Sequence, residues 1–194
     1  MKPLPVSFFR RPADVVAREL LGGVIVSTAG RRRCTALIVE TEAYLGRDDP
    51  ASHAFGGRRH RGNASLYANP GIWYVYLSYG MHWCANLVCL GPEAGGAVLL
   101  RAVSPLEGVE TMRRRRGSVA ERDLANGPGK LCRALGITRA LDGVPMVESE
   151  VRIERPAAFE SAAIRVTPRI GITKAVDWPL RFLLTTQAQA RKVG

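Results

Sequence analysis

Lysine is scarce in this 194-residue chain: only Lys2, Lys130, Lys174 and Lys192, against 24 arginines. Cysteine and histidine are few as well. Cys34, Cys84, Cys89 and Cys132 form no C-x-x-C pair, and His53, His60 and His82 form no H-x-x-x-H pair. That spacing excludes the common structural zinc motifs, so no metal is expected and the thiols read as small apolar fillers. No apolar run approaches the ~20 residues of a membrane helix. The opening Met1-Lys2-Pro3-Leu4-Pro5 reaches Arg10-Arg11 too soon for a signal-peptide core, so the sequence predicts a cytoplasmic protein.

Acidic residues are the minority. With 28 Lys+Arg and 17 Asp+Glu the formal net charge is +11. Arginine forks suit phosphate contacts, so a polyanionic partner is the first hypothesis, with genomic base bias as the plain alternative. At 46% hydrophobic and 23% charged, the composition is that of a globular chain.

Periodicity and turn residues predict a helix over 13–21, strands over 24–27 and 34–42, and a long aperiodic basic loop over 48–69 that is a candidate binding surface. Runs at 72–79, 82–90 and 97–103 read as consecutive antiparallel strands. A helix is expected over 105–116, another starts with Asn126 as cap and ends at Gly136, and short strands are expected near 151–154, 163–166 and 180–184. No repeat or shift of composition marks a second domain.

Strand parity places Glu40, Glu42 and Tyr44 on one face, which turns from apolar at Ile38 to acidic. A carboxylate at the end of a half-buried strand beside an aromatic ring can be held as a general base; the plain alternative is a solvated strand end. Tyr74, Tyr76 and Ser78 share a face, while Tyr79 falls at the turn before Gly80, where a ring would be exposed. Trp73, Tyr74 and Trp83 read as core. An exposed aromatic beside a basic loop suits the wedge and stacking planes of a protein that extrudes a base from DNA. Asn86 is either a satisfied core amide or a hydrogen-bonding and steric probe in a pocket. Arg101, inside an apolar run, requires a carboxylate or an anionic ligand, and the Glu40–Glu42 face could supply the first.

These residues match a family. Glu40-Thr41-Glu42-Ala43-Tyr44-Leu45-Gly46, His53, Pro70-Gly71, Tyr74-Val75-Tyr76, Tyr79-Gly80-Met81, Cys84 with Asn86, Leu99-Leu100-Arg101-Ala102, Gly127-Pro128-Gly129-Lys130-Leu131-Cys132, Pro168-Arg169-Ile170-Gly171-Ile172 and Leu180-Arg181-Phe182 occur in order. The chain resembles the alkyladenine (3-methyladenine) DNA glycosylases, its closing region (175–179) being nearer to bacterial members. The resemblance implies a mixed α+β fold, one domain over 1–194, with a curved, mainly antiparallel sheet flanked by short helices. It implies excision of damaged purines from double-stranded DNA by a monomer with no cofactor, acting at the nucleoid. Glu42 matches the catalytic base, and Arg101 and the Ile170 carbonyl the groups that hold its water. Tyr44, His53 and Tyr76 match the walls of the base pocket, and Asn86 the residue that crowds out normal guanine. Tyr79 matches the intercalating wedge; Met81, His82 and Lys130 are expected to touch DNA.

A glycosylase that is also a lyase would need an amine for a Schiff base. Lys2 and Lys192 lie near the termini and Lys174 in the closing loop. That leaves Lys130, whose helix-start position suits phosphate binding better. Two rivals stay open from sequence: a non-catalytic basic DNA-binding module, and another glycosidase using Glu40 and Glu42 as its acid pair. The latter two would sit on the same side of a substrate, about 6.6–6.8 Å apart, where such pairs flank it.

Overall fold

The long strand that carries the acidic face organises everything around it. In the computed structural model, which describes residues 2–155 and 163–185, the strands are β1 (Lys2–Pro3), β2 (Val24–Ser27), β3 (Cys34–Tyr44), β4 (Trp73–Ser78), β5 (His82–Cys89), β6 (Gly96–Glu107), β7 (Val151–Arg155), β8 (Ile164–Thr167) and β9 (Arg181–Leu184). They form one curled antiparallel sheet in the order β1-β7-β2-β3-β6-β5-β4, with β9 against β3 and β8 against β9. Strand β6 runs along one edge of β3. The other edge is divided, Cys34 to Leu37 pairing with β2 and Glu40 to Glu42 with β9. The glutamates therefore lie where β3 is flanked on both sides.

Helices α1 (Val6–Phe9), α2 (Ala13–Leu20), α3 (Val109–Arg116) and α4 (Pro128–Leu135) accompany the sheet, giving the mixed α+β class expected from sequence. Helix α2 turns Ala13, Val16, Ala17 and Leu20 into the core, an i, i+3, i+4, i+7 stripe. Fully burying a side chain such as Val16 or Leu20 contributes about 1.5–3 kcal/mol. Trp73, Val75, Ala85, Leu87, Val98 and Leu100 share that core. By alternation their neighbours Tyr74, Val88 and Ala97 face the other way, into a smaller cluster with Ala54, Leu66 and Tyr67 from the basic loop. That loop contains two short 3₁₀ segments, Phe55–Gly57 and Arg61–Tyr67, and covers the sheet face opposite the main core.

Two local expectations fail. The helix predicted over 105–116 begins only at Val109, because β6 continues through Pro105 to Glu107 against β3. Proline is tolerated there: β5 pairs only with Gly96 to Leu99, and the ladder with β3 is irregular at Thr35/Ala36. Asn126 does not cap α4. Gly127 does, with Pro128 in the first turn, and the Asn126 amide instead donates to Asp123 Oδ1 at 3.0 Å. Gly129 lets α4 approach the sheet, since a Cβ there would lie 2.7 Å from the Cβ of His82. Gly136 ends the helix in the left-handed region, as expected.

Candidate active site

Two irregularities in the β3–β6 ladder aim the central charges. Ile38 faces Val103, Glu40 faces Ala102 and Thr41 faces Leu100, so Val39 on one strand and Arg101 on the other have no direct partner. Such bulges re-aim a side chain without ending the sheet. Ile38 remains in the main core, while Arg101 swings onto the glutamates. Its Nε lies 3.3 Å from Glu40 Oε1, and its Nη1 donates to Glu42 Oε2 at 3.4 Å and to the Ile170 carbonyl at 3.3 Å. Arg181 on β9 donates to the same Glu40 oxygen at 2.6 Å, so Glu40 joins three strands.

Glu42 is 0% exposed yet has hydrogen-bond donors on both oxygens. The Ile170 N–H donates to Oε1 at 2.9 Å and the Tyr44 hydroxyl to Oε2 at 3.0 Å. Burial pushes its carboxyl above the ordinary range; Arg101, the Ile170 N–H and the Tyr44 hydroxyl pull it back, and Glu40 adds to the rise. A carboxylate whose pKa is raised by burial and opposed by specific donors is the form a general base takes.

Beside it lies a cavity of about 450 Å³, within the roughly 300–1,000 Å³ of small-molecule sites. Tyr44, His53, Tyr74, Tyr76 and Asn86 all contribute to its wall. Tyr74 and Tyr76 stack with ring centres 5.4 Å apart, and His53 meets Tyr76 edge-on at 4.5 Å. His53 Nδ1 and the Tyr74 hydroxyl share a hydrogen bond of 2.7 Å. Burial, and secondarily His60, lower the His53 pKa, which favours a neutral imidazole. The phenols of Tyr44, Tyr74 and Tyr76 are all pushed upward, chiefly by burial, and remain protonated. Asn86 is a satisfied amide, donating to the Tyr74 and Cys84 carbonyls at 3.1 and 3.4 Å, and it also lines the cavity. Glu42 itself stands one step behind the wall, joined to it through Tyr44.

At the rim, Ser78, Tyr79, Gly80 and Met81 make the turn between β4 and β5, closed by the Met81 N–H on the Ser78 carbonyl at 3.1 Å. Tyr79 and Gly80 have φ of 51° and 68°, which is routine for glycine and costs a tyrosine about 1–2 kcal/mol. Tyr79 is 86% exposed and Met81 71%. A strained, uncovered aromatic is held out where packing gives it nothing. A second hollow, of about 780 Å³, is shared by Tyr79, Met81, His82 and Lys130 and bordered by Arg115 and Arg133. Lys130 Nζ donates to Asn126 Oδ1 at 2.7 Å and lies 3.3 Å from Asp123.

The structure thus gathers Glu42, Arg101, Ile170 and Tyr44 at one centre and His53, Tyr76 and Asn86 around the adjoining cavity, with Tyr79 bordering both that cavity and the second hollow, where Met81, His82 and Lys130 lie. Sequence reasoning missed three features. Tyr74, read as core, is also a cavity wall. Lys174, set aside as a closing-loop residue, lines the cavity as well. Asp49 and Arg169, 120 residues apart, form a fully buried ion pair next to the site; an isolated loop acid gave no signal for it.

The site thus sets a carboxylate held by an arginine beside an aromatic cavity, on a curled antiparallel sheet with a projecting tyrosine. Residues 7–188 match the family model described as methylpurine-DNA glycosylase. Relatives include proteins named as candidate 3-methyladenine DNA glycosylases from Granulibacter bethesdensis, 48% identical over 92% of this chain and 82% of that one, and from Agrobacterium fabrum, 48% identical over 97% and 92%. Another, from Chlorobaculum parvum, is 41% identical over 95% and 88%. The chain belongs to the methylpurine-DNA glycosylase family and is a DNA glycosylase, which sets aside the non-catalytic module. Among the described residues, no helix is long and apolar enough to cross a membrane.

Proposed function

We propose that this enzyme flips an alkylated purine, 3-methyladenine and related bases, out of duplex DNA and hydrolyses its N-glycosidic bond with water activated by Glu42. The observation that carries the reading is the fully buried Glu42 carboxylate, oriented by the Ile170 N–H and Arg101 and joined through the Tyr44 hydroxyl to a tyrosine-walled cavity. Tyr79 fills the space the base leaves in the duplex. Tyr44, His53 and Tyr76 stack on the extruded ring, and Asn86 narrows the choice of purine. Electron-rich tyrosine faces attract a purine made cationic by alkylation at N3 or N7.

Water on Glu42 also lies beside Arg101 Nη1 and the Ile170 carbonyl, which are within 3.3 Å of each other. As the C1′–N bond breaks, the bonding electron pair returns to the base, which leaves neutral. The oxygen of water bonds to C1′, and its proton passes to Glu42. The ionised carboxylate also stabilises positive charge that develops on the sugar, an interaction strongest in the transition state. A cationic leaving base needs little acid assistance.

The chain acts as a monomer and as one domain, without lyase chemistry. Incubation with methylated duplex DNA should release free 3-methyladenine over several turnovers, and binding without release would refute the reading. Because Lys174 lines the cavity, borohydride trapping addresses the lyase question directly: no covalent protein–DNA adduct is expected, and an adduct lost in Lys174→Ala would overturn the monofunctional assignment.

A further inference from the structure

We propose that the buried Asp49–Arg169 pair is the positioning element of the active site, fixing the backbone of Ile170 against Glu42 and Arg101. The inference rests on the reading of Glu42 as the catalytic carboxylate. Arg169 Nη1 and Nη2 donate to Asp49 Oδ2 and Oδ1 at 2.5 and 2.8 Å, and both side chains are fully buried. Nη1 also donates to the Ala43 carbonyl at 3.0 Å, and the guanidinium lies 4.7 Å over the Tyr44 ring. Asp49 in turn accepts the N–H groups of Leu45 and Ala51, each at 3.0 Å. Arg169 is thereby tied to the chain on both sides of Tyr44.

The next residue is Ile170, whose N–H donates to Glu42 and whose carbonyl accepts from Arg101. Residues 168–174 belong to no strand or helix. Among the described residues, their hydrogen bonds to the rest of the protein come from the Arg169 guanidinium, the two Ile170 backbone groups and, at the start of the stretch, the Thr167 hydroxyl on the Pro168 carbonyl. Remove the ion pair, and of the hydrogen bonds that reach Ala43, Asp49, Glu42 and Arg101, the two made by the Ile170 backbone alone would hold this stretch in register with the carboxylate.

Energetics point the same way. A buried ion pair gains little over apolar side chains of similar size, because desolvation offsets the attraction. Here the arrangement is also incomplete, since Arg169 Nε is buried without a partner. What the pair provides is geometry: a planar, bidentate fork admits one orientation, whereas apolar packing would admit several. Asp49 is correspondingly held as a carboxylate. Burial would raise its pKa, but the Arg169, Leu45 and Ala51 donors outweigh that and lower it.

The test compares full-length wild type, Arg169→Lys, and the paired variant Asp49→Leu with Arg169→Met, in single-turnover excision of 3-methyladenine from methylated duplex across pH. Glu42 is faced by Arg101, Glu40, the Tyr44 hydroxyl and the Ile170 N–H; the variants disturb the last through the backbone and Tyr44 through its contact with the guanidinium. A misplacement of about 1 Å costs on the order of 10²-fold in rate, which is the loss expected, with affinity for methylated DNA unchanged. Losing one donor to the carboxylate moves the acid limb of the rate profile to higher pH. The apolar variant keeps the volume and carries the test where Arg169→Lys does not fold. In the unaltered protein, the Ile170 amide should exchange with solvent only on global unfolding; rapid native-state exchange overturns the proposal. So does a rate and acid limb like wild type, or a loss of rate that follows only the loss of folded protein. Glu42→Gln separates the two layers: wild-type rate there defeats the reading of Glu42, while its inactivity alongside undisturbed pair variants defeats this inference alone.

Discussion

The Tyr44 hydroxyl donates to Glu42 Oε2 at 3.0 Å while the Tyr44 ring forms part of the cavity wall. One side chain therefore touches both the cavity and the buried carboxylate. In the proposed mechanism, a purine pressed against the ring would act on the water-activating carboxylate through this hydrogen bond.

Tyr44→Phe keeps the ring and removes only that donor. Glu42 loses one of the interactions that favour its ionised form, so its pKa rises. A general base works ionised, so the acid limb of the single-turnover profile should move to higher pH. A limb that stays in place or moves to lower pH would show that the hydroxyl does not act on Glu42.

In the unaltered enzyme, burial already holds Glu42 above the usual carboxylate range, so excision should decline at a pH above the ~4.3 of a free glutamate. Arg101→Gln removes the main opposing cation, which raises the Glu42 pKa further and weakens the hold on water. Both the plateau rate and the position of the acid limb should change. A variant that lowers the plateau alone would mean Arg101 acts on the substrate without tuning Glu42.

Tyr79→Gly separates folding from function. Tyr79 is 86% exposed and in the left-handed region, so glycine relieves strain at little cost in packing. Thermal denaturation should show stability unchanged or raised by up to about 1 kcal/mol, while base extrusion from duplex becomes slower. Excision from single strands should be spared. Equal losses on both substrates would count against the wedge.

With a net charge of +11, affinity for duplex should decrease steeply with salt. Each phosphate neutralised contributes about −0.9 to the slope of log K against log salt. Titration at several salt concentrations gives the number of contacts directly, and a flat response would rule out a phosphate-dominated interface. Lys130→Ala should lower that slope by about one, because its ammonium sits at the edge of the outer hollow.

Regular alternation and turn residues made much of this architecture legible. Residues 24–27 and 34–42 were readable as strands, and the Tyr74–Tyr76 face followed from parity alone. The extension of β6 through Pro105 was hidden, because a proline followed by a charged stretch reads as a helix start unless the partner strand is known. The bulges at Val39 and Arg101 were hidden for the same reason: unpaired positions are properties of two strands together. Arg101 stood out as a charge inside an apolar run and Glu42 as an acid at the end of a half-buried strand beside an aromatic, and motif resemblance gave them roles. Asp49 and Arg169 offered no such contrast, since only folding brings the two distant segments together.

Replacing Glu42 by glutamine tests the mechanism most directly, because the side chain keeps its size and its place beside Ile170 while losing the charge. Single-turnover excision from methylated duplex, with affinity measured on the same DNA, should show the rate lower by about 10² to 10⁴-fold and binding nearly intact. Wild-type excision by the Glu42→Gln protein would contradict the assignment of Glu42 as the base that activates water.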